Sequence, residues 1–171
     1  MMGNSFIKNI LRFIILTLVQ VTILDNINFG GYVNPYLYVY FILLLPFEVP
    51  GWLLLISAFL MGISIDVFEN TMGINAAATV LMAFFRPVIL KSLSSGKEYE
   101  KMDKPSIGGF GFSWFFTYSV ILIFIHHLTL FYLEVFRFTH FFATLQRAIL
   151  STIFTLILVI IVQYIFEKPS K

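Results

Sequence analysis

The sequence contains no cysteine. Disulfides and thiolate metal sites are therefore excluded from whatever holds the chain together. Charge is nearly as scarce, with Asp, Glu, Lys and Arg making up 12% of 171 residues against 59% hydrophobic ones. A soluble domain of this length needs far more polar surface, so the balance excludes that class and indicates a membrane protein. The net charge of +2 is too small to suggest a nucleic-acid partner. Glycines are few, and "GGFG" (Gly108–Gly111) follows no strand pattern, so no phosphate cradle is present. What the chain has in quantity is aromatic residues, 21 Phe and 8 Tyr, which suit lipid contact and the bilayer interface.

A spanning helix needs about 20 apolar residues. Six stretches qualify, at about 7–24, 35–47, 52–68, 75–90, 112–133 and 143–166. They predict an all-α integral membrane protein with six transmembrane helices in a single domain. The first stretch follows Lys8 and Arg12 and ends in "TILDNINF", with no small-residue cleavage pattern, so it is expected to be a retained span rather than a signal peptide. The second is short. Asn34-Pro35 supplies an N-cap and a proline at the first helical position, and "PFEVPG" (Pro46–Gly51) ends it as a tight turn. With six spans and the N-terminus inside, Lys8, Arg12, Arg86, Lys91, Lys97, Lys101, Lys104, Lys168 and Lys171 fall on the cytoplasmic side. Only Arg137 and Arg147 fall outside. This positive-inside bias predicts that both termini are cytoplasmic. The longest connector, Lys91–Gly111, is polar and mixed in charge. It reads as a solvated loop, or as a docking site for a cytoplasmic partner.

Polar residues within the spans carry the remaining information. Ala58, Gly62 and Asp66 recur every fourth residue on the third span and share one face. Ala76, Thr79 and Ala83 form a second small-residue stripe on the fourth. Small residues at this spacing let helices approach closely, and the short "ENTMG" link (Glu69–Gly73) makes the two an antiparallel pair. Asp66 lies sixteen residues beyond Pro50, about 24 Å along the axis, just below the outer boundary of a core of about 30 Å. Arg147 lies about 6 Å from the same boundary on the sixth span. A carboxylate at that depth must face protein or water, and Arg147 is its expected partner, with Gln20 or a histidine as alternatives. Gln20, Asp66, His126, His127 and Arg147 together suggest a polar layer near the outer face. The layer reads either as a network that fixes helix register or as a ligand pocket open to the outside.

Catalytic patterns are lacking. His126 and His127 are adjacent and point about 100° apart on a helix, so they cannot join in one metal site as histidines four apart can. Neither an HExxH motif nor a nucleophile–base spacing occurs. No enzyme, metal or cofactor is expected.

The stretch from Asn34 to Ile89, with Gly62, Asp66 and Gly73 forming a "G-x-x-x-D" pattern followed by "x-x-G", resembles the rod shape-determining protein MreD family. The resemblance implies a non-enzymatic, multi-pass component of the bacterial cytoplasmic membrane that organises peptidoglycan synthesis during cell elongation. It implies association with MreC, MreB and the wall synthases RodA and penicillin-binding protein. It also implies a fold like that of the substrate-binding S components of energy-coupling vitamin transporters, which makes such a component the rival reading. Those proteins carry an Ala-x-x-x-Ala stripe on the first helix. Here that helix reads "FIKNILRFIILTLVQVTIL" (Phe6–Leu24) and has no alanine.

Overall fold

The computed structural model describes residues 2–27, 33–93, 104–135 and 141–166. Among these the protein is helical: α1 (Met2–Thr22), α2 (Tyr40–Leu43), α3 (Gly51–Glu69), α4 (Ile74–Leu93), α5 (Ile107–Phe110), α6 (Phe112–Val135) and α7 (Phe141–Phe166). Five segments are helical, long and apolar enough to cross a membrane: Ile7–Asn26, Gly51–Glu69, Ile74–Leu93, Phe112–Val135 and Phe141–Phe166. Ile, Leu, Val and Phe cover most of their faces, and large apolar side chains stand exposed all round the bundle, from Ile7 and Leu18 to Phe84 and Ile165. In water such a surface would be an aggregation hazard, whereas lipid covers it at no cost.

The segment 35–47 is the departure from expectation. It is not a spanning helix. Residues 34–36 are extended or irregular, a 3-10 turn covers Leu37–Val39, and α2 adds one α turn. Asn34 does not cap it and Pro35 does not open it; the residue before the 3-10 turn is Tyr36, in a non-helical conformation. The apolar composition that mimics a lipid-facing span has another cause. Every residue from Tyr36 to Leu45 is buried, five of them at 2% exposure or less. The segment runs through the middle of the protein.

The five long helices surround it. α3 packs on α4, α4 on α6 and α6 on α7, while α1 leans on α3 and on the central segment. Contacts fix the direction of travel. Gln20, near the end of α1, binds Pro35 and Leu37, whereas Arg12, earlier in α1, reaches Leu44. The central segment therefore runs back alongside α1 and returns the chain to the start of α3. Phe47 then meets Phe110 edge-on, and Phe110, Trp114 and Tyr118 stack in sequence at that end of the bundle.

A backbone with only two short helical turns, buried away from water, leaves the N–H groups at its start and the carbonyls at its end without partners of its own. The surrounding helices supply those partners with side chains. Ser151 Oγ accepts from the Asn34 N–H at 3.0 Å and Thr155 Oγ1 from the Tyr36 N–H at 3.0 Å. Gln20 is used at both ends, its Oε1 accepting from the Leu37 N–H at 2.8 Å and its Nε2 donating to the Pro35 carbonyl at 3.2 Å. At the other end Tyr118 donates to the Leu43 carbonyl at 3.0 Å, Arg12 to that of Leu44 at 3.5 Å, and Arg86 to that of Leu45. The two arginines and the tyrosine cover the carbonyl end of the short central helix, where a cation is favoured. Arg86 is thus buried at 2% exposure and is not a loop charge, which removes one residue from the cytoplasmic tally.

Candidate functional site: the polar end of the bundle

The ends of α1, α3 and α6 and the starts of α4 and α7 meet at one end of the molecule. Gly62, Asp66 and Gly73 build the turn there. Gly73 has φ +85°, a conformation that favours glycine. Its carbonyl accepts the first helical bond of α4, from Ala77, so it occupies the N-cap position but has no side chain with which to cap. Asp66 supplies the cap from the neighbouring helix. Its Oδ1 accepts from the Asn75 N–H at 3.0 Å and its Oδ2 from the Ala76 N–H at 2.9 Å. Thr71 Oγ1 adds a bond at 2.5 Å. Asn70, in the left-handed conformation with φ 55°, ends α3. One turn before Asp66, Gly62 lies against the α4 backbone. A Cβ there would fall 2.7 Å from both Ala76 N and Asn75 O. Ala58, completely buried, continues this face. Gly62 lets the start of α4 approach, and Asp66 then satisfies two N–H groups that the approach removes from water.

Asp66 therefore does not pair with Arg147. Arg147 Nη1 donates to Glu134 Oε2 at 3.0 Å, and its guanidinium lies 4.2 Å over the Phe131 ring. The depth estimate puts both charges at the same level. It cannot reveal that the α4 amides occupy the Asp66 carboxylate.

The other polar residues join through partners that the sequence reading did not single out. Asn75 donates to Glu69 Oε2 at 2.7 Å, and its Oδ1 accepts from the Tyr38 hydroxyl at 3.0 Å. Tyr38 in turn contacts His126 Nε2 at 2.7 Å. Because the Tyr38 proton goes to Asn75, Nε2 of His126 must carry the hydrogen, which leaves Nδ1 as a bare lone pair with no partner. His127 takes the opposite tautomer. Its Nδ1 donates to the Ile123 carbonyl at 2.8 Å, so its Nε2 accepts from Thr155 at 3.2 Å. The adjacent histidines thus serve different neighbours, and both are completely buried. Gln20, at 1% exposure, links the central segment to Asp25 through a bond of 2.7 Å.

Above this network lies an open cavity of about 580 Å³. Asp25, Glu69, Glu134, Arg147, Asn34 and Tyr36 provide its polar wall, and Val21, Leu24, Phe68 and Leu130 are among its apolar lining. Asp66, Gln20, His126 and His127 lie outside the lining. Some of the missed residues left a pattern. Ala148, Ser151, Thr152, Thr155, Val159 and Gln163 are all buried along one stripe of α7, and three to four residue spacing of small and hydroxyl side chains on a long apolar helix marks a face turned to protein. Tyr38 and Arg86 left no such signal.

The described residues define an all-helical protein with five helices suited to crossing a membrane, built round a short buried segment of one 3-10 and one α turn. No protein-family model, no curated protein and no solved structure matches the chain.

Proposed function

We propose that this protein is a non-enzymatic membrane scaffold of the bacterial cell-elongation machinery, a partner of MreC, MreB and the RodA and penicillin-binding wall synthases. The observation that supports this reading is the use made of Gly62, Asp66 and Gly73. The three residues that carry the resemblance to MreD-like proteins join α3 to α4 as one rigid pair. Their role is architectural, as a scaffold requires. In this reading the protein lies in the cytoplasmic membrane with the cavity outside and both termini inside. Lys8, Lys91 and Lys104 at the end opposite the cavity favour that orientation. A cysteine at position 97 would then resist an impermeant thiol reagent in intact cells, and labelling there would reverse the orientation.

Depletion in a rod-shaped host is expected to give rounded cells. The cavity favours a second reading, an S component of a vitamin transporter with a fold of that type, since a volume of about 580 Å³ suits a small ligand. Normal shape with a defect in vitamin uptake would select that reading over the first.

A further inference from the structure

We propose that the flank of α1 turned away from α3 holds an anionic phospholipid, with its phosphate at Lys8 and Arg12. The long helices pack in pairs from α1 through α3, α4 and α6 to α7. Between α1 and α7 the central segment completes the ring. Its Phe41 packs edge-on against Phe13 of α1, and its Tyr40 donates to Gln163 of α7. α1 therefore packs closely on another long helix along one flank only. Thr17 marks that flank by its contact with Met61 of α3 at 3.5 Å. Arg12 lies about 140° round the helix from Thr17, on the opposite flank. Lys8, Arg12, Ile15 and Val19 follow one another there at four, three and four residues, forming one stripe. The stripe has two cations at the end opposite the cavity and alkyl groups toward mid-membrane, the order of charge and hydrocarbon in a phospholipid. Lys8 and Ile15 are exposed and Arg12 is half-buried, so the stripe is open to lipid.

Charge makes the lipid anionic. Arg12 Nη1 donates to Asn9 and to the Leu44 carbonyl. Arg86, at 2% exposure, donates to Tyr118 and to the Leu45 carbonyl. These four acceptors are all neutral, and the carbonyls of consecutive residues draw two guanidinium groups together. Like charges brought together near a low-dielectric interior repel, and a phosphate at Arg12 relieves the repulsion through charge-assisted bonds. The whole end carries the same excess, with Lys8, Arg12, Arg86, Lys91 and Lys104 against Glu48. The undescribed stretches that continue the chain there cancel, since Lys97, Lys101, Lys168 and Lys171 stand against Glu98, Glu100, Asp103 and Glu167. Basic groups beside spanning helices at this level are the setting in which anionic headgroups are held. The inference goes beyond the scaffolding role and does not depend on it.

The test uses the full chain in dodecyl maltoside. The unfolding midpoint is followed against dioctanoylphosphatidylglycerol, with dioctanoylphosphatidylcholine and glycerol 1-phosphate as controls. A saturable rise with the phosphatidylglycerol is expected, at a half-saturating concentration about tenfold or more below that of the phosphatidylcholine. Glycerol 1-phosphate, which has the anion but no chains, should give no rise. In Lys8→Gln/Arg12→Gln the half-saturating concentration should increase about tenfold or more, the scale of a lost charge-assisted contact. Should that variant not fold, Lys8→Gln alone, at an exposed position, is measured in the same way and should give about a threefold increase. Lys91→Gln removes the same charge from exposed α4 surface at the same end and should leave the value unchanged. No saturable rise, equal responses to the two lipids, or an unchanged response in the α1 variants would overturn the proposal. An equal response to glycerol 1-phosphate would overturn it in favour of a soluble phosphate, and equal weakening by Lys91→Gln in favour of diffuse charge. Cell shape does not enter this readout, so the lipid site and the scaffolding role can each fail alone.

Discussion

Two regions of the protein solve the same problem in opposite ways. On the rim, α1 is among the least buried of the long helices. Its backbone bonds are its own, and its exposed Ile10, Leu11, Ile14, Ile15 and Leu18 need only be apolar. In the centre, Tyr36–Leu45 is equally apolar but almost wholly enclosed. There two short helical turns leave the backbone groups at both ends unserved, so Gln20, Thr155, Tyr118 and Arg86 reach in from four different helices. Polar side chains in the surrounding spans are therefore the hydrogen-bonding supply of the segment that they enclose. Substitutions should be tolerated on the rim and punished in the shell around the core.

The largest effect is expected at Gly62, where a side chain meets backbone rather than a movable group. Gly62→Leu should cost about 3 kcal/mol or more and remove most folded protein from membranes. Leu60→Ala, on the lipid side of the same helix at 50% exposure, should leave the level unchanged.

A paired substitution sharpens the contrast between centre and rim. Thr155→Val removes the acceptor of the Tyr36 N–H and the donor to His127. It should cost about 1–3 kcal/mol, the penalty for orphaning a buried polar group. Thr22→Val removes a hydroxyl that only back-bonds to Leu18 on an exposed face. It should stay within about 0.5 kcal/mol of the wild type. Reversible unfolding in mild detergent measures both, and equal costs would erase the distinction.

A smaller effect separates the two charges that share a depth. Asp66→Ala should cost about 1–2 kcal/mol through the lost α4 cap, and Arg147→Ala less, since its partner Glu134 is itself exposed. The double change should equal the sum of the two within about 0.5 kcal/mol. A large coupling energy would restore a direct Asp66–Arg147 interaction.

These expectations also mark what was legible in the sequence. The helices expected at 52–68, 75–90, 112–133 and 143–166 are observed as Gly51–Glu69, Ile74–Leu93, Phe112–Val135 and Phe141–Phe166, because lipid-facing length and composition are local properties. The stretch 35–47 departs from the expected span for a physical reason. An apolar run reads the same whether lipid or protein covers it, and only the side chains donated from elsewhere distinguish the two. The close face of Ala58, Gly62 and Asp66 follows from periodicity. The partner of Asp66 does not, because it depends on how Asn70 and Gly73 fold the intervening turn. Arg86 sits near the end of an apolar run, as a loop charge would, and its burial follows from the central carbonyls beneath it. Of the long loop, residues 94–103 lie outside the described residues, and so do Lys97 and Lys101.

The central claim is that Tyr36–Leu45 is a buried crossing held by the side chains of its neighbours. Hydrogen–deuterium exchange of the peptides covering that segment tests it most directly, in the wild type and in Gln20→Leu. The wild-type segment should exchange as slowly as the interior of α4 and α6, although most of it lies outside any long helix. In Gln20→Leu, which frees the Leu37 N–H and the Pro35 carbonyl, exchange should accelerate in this segment while α6 stays protected. Rapid wild-type exchange, at the rate of an exposed loop, would contradict the account.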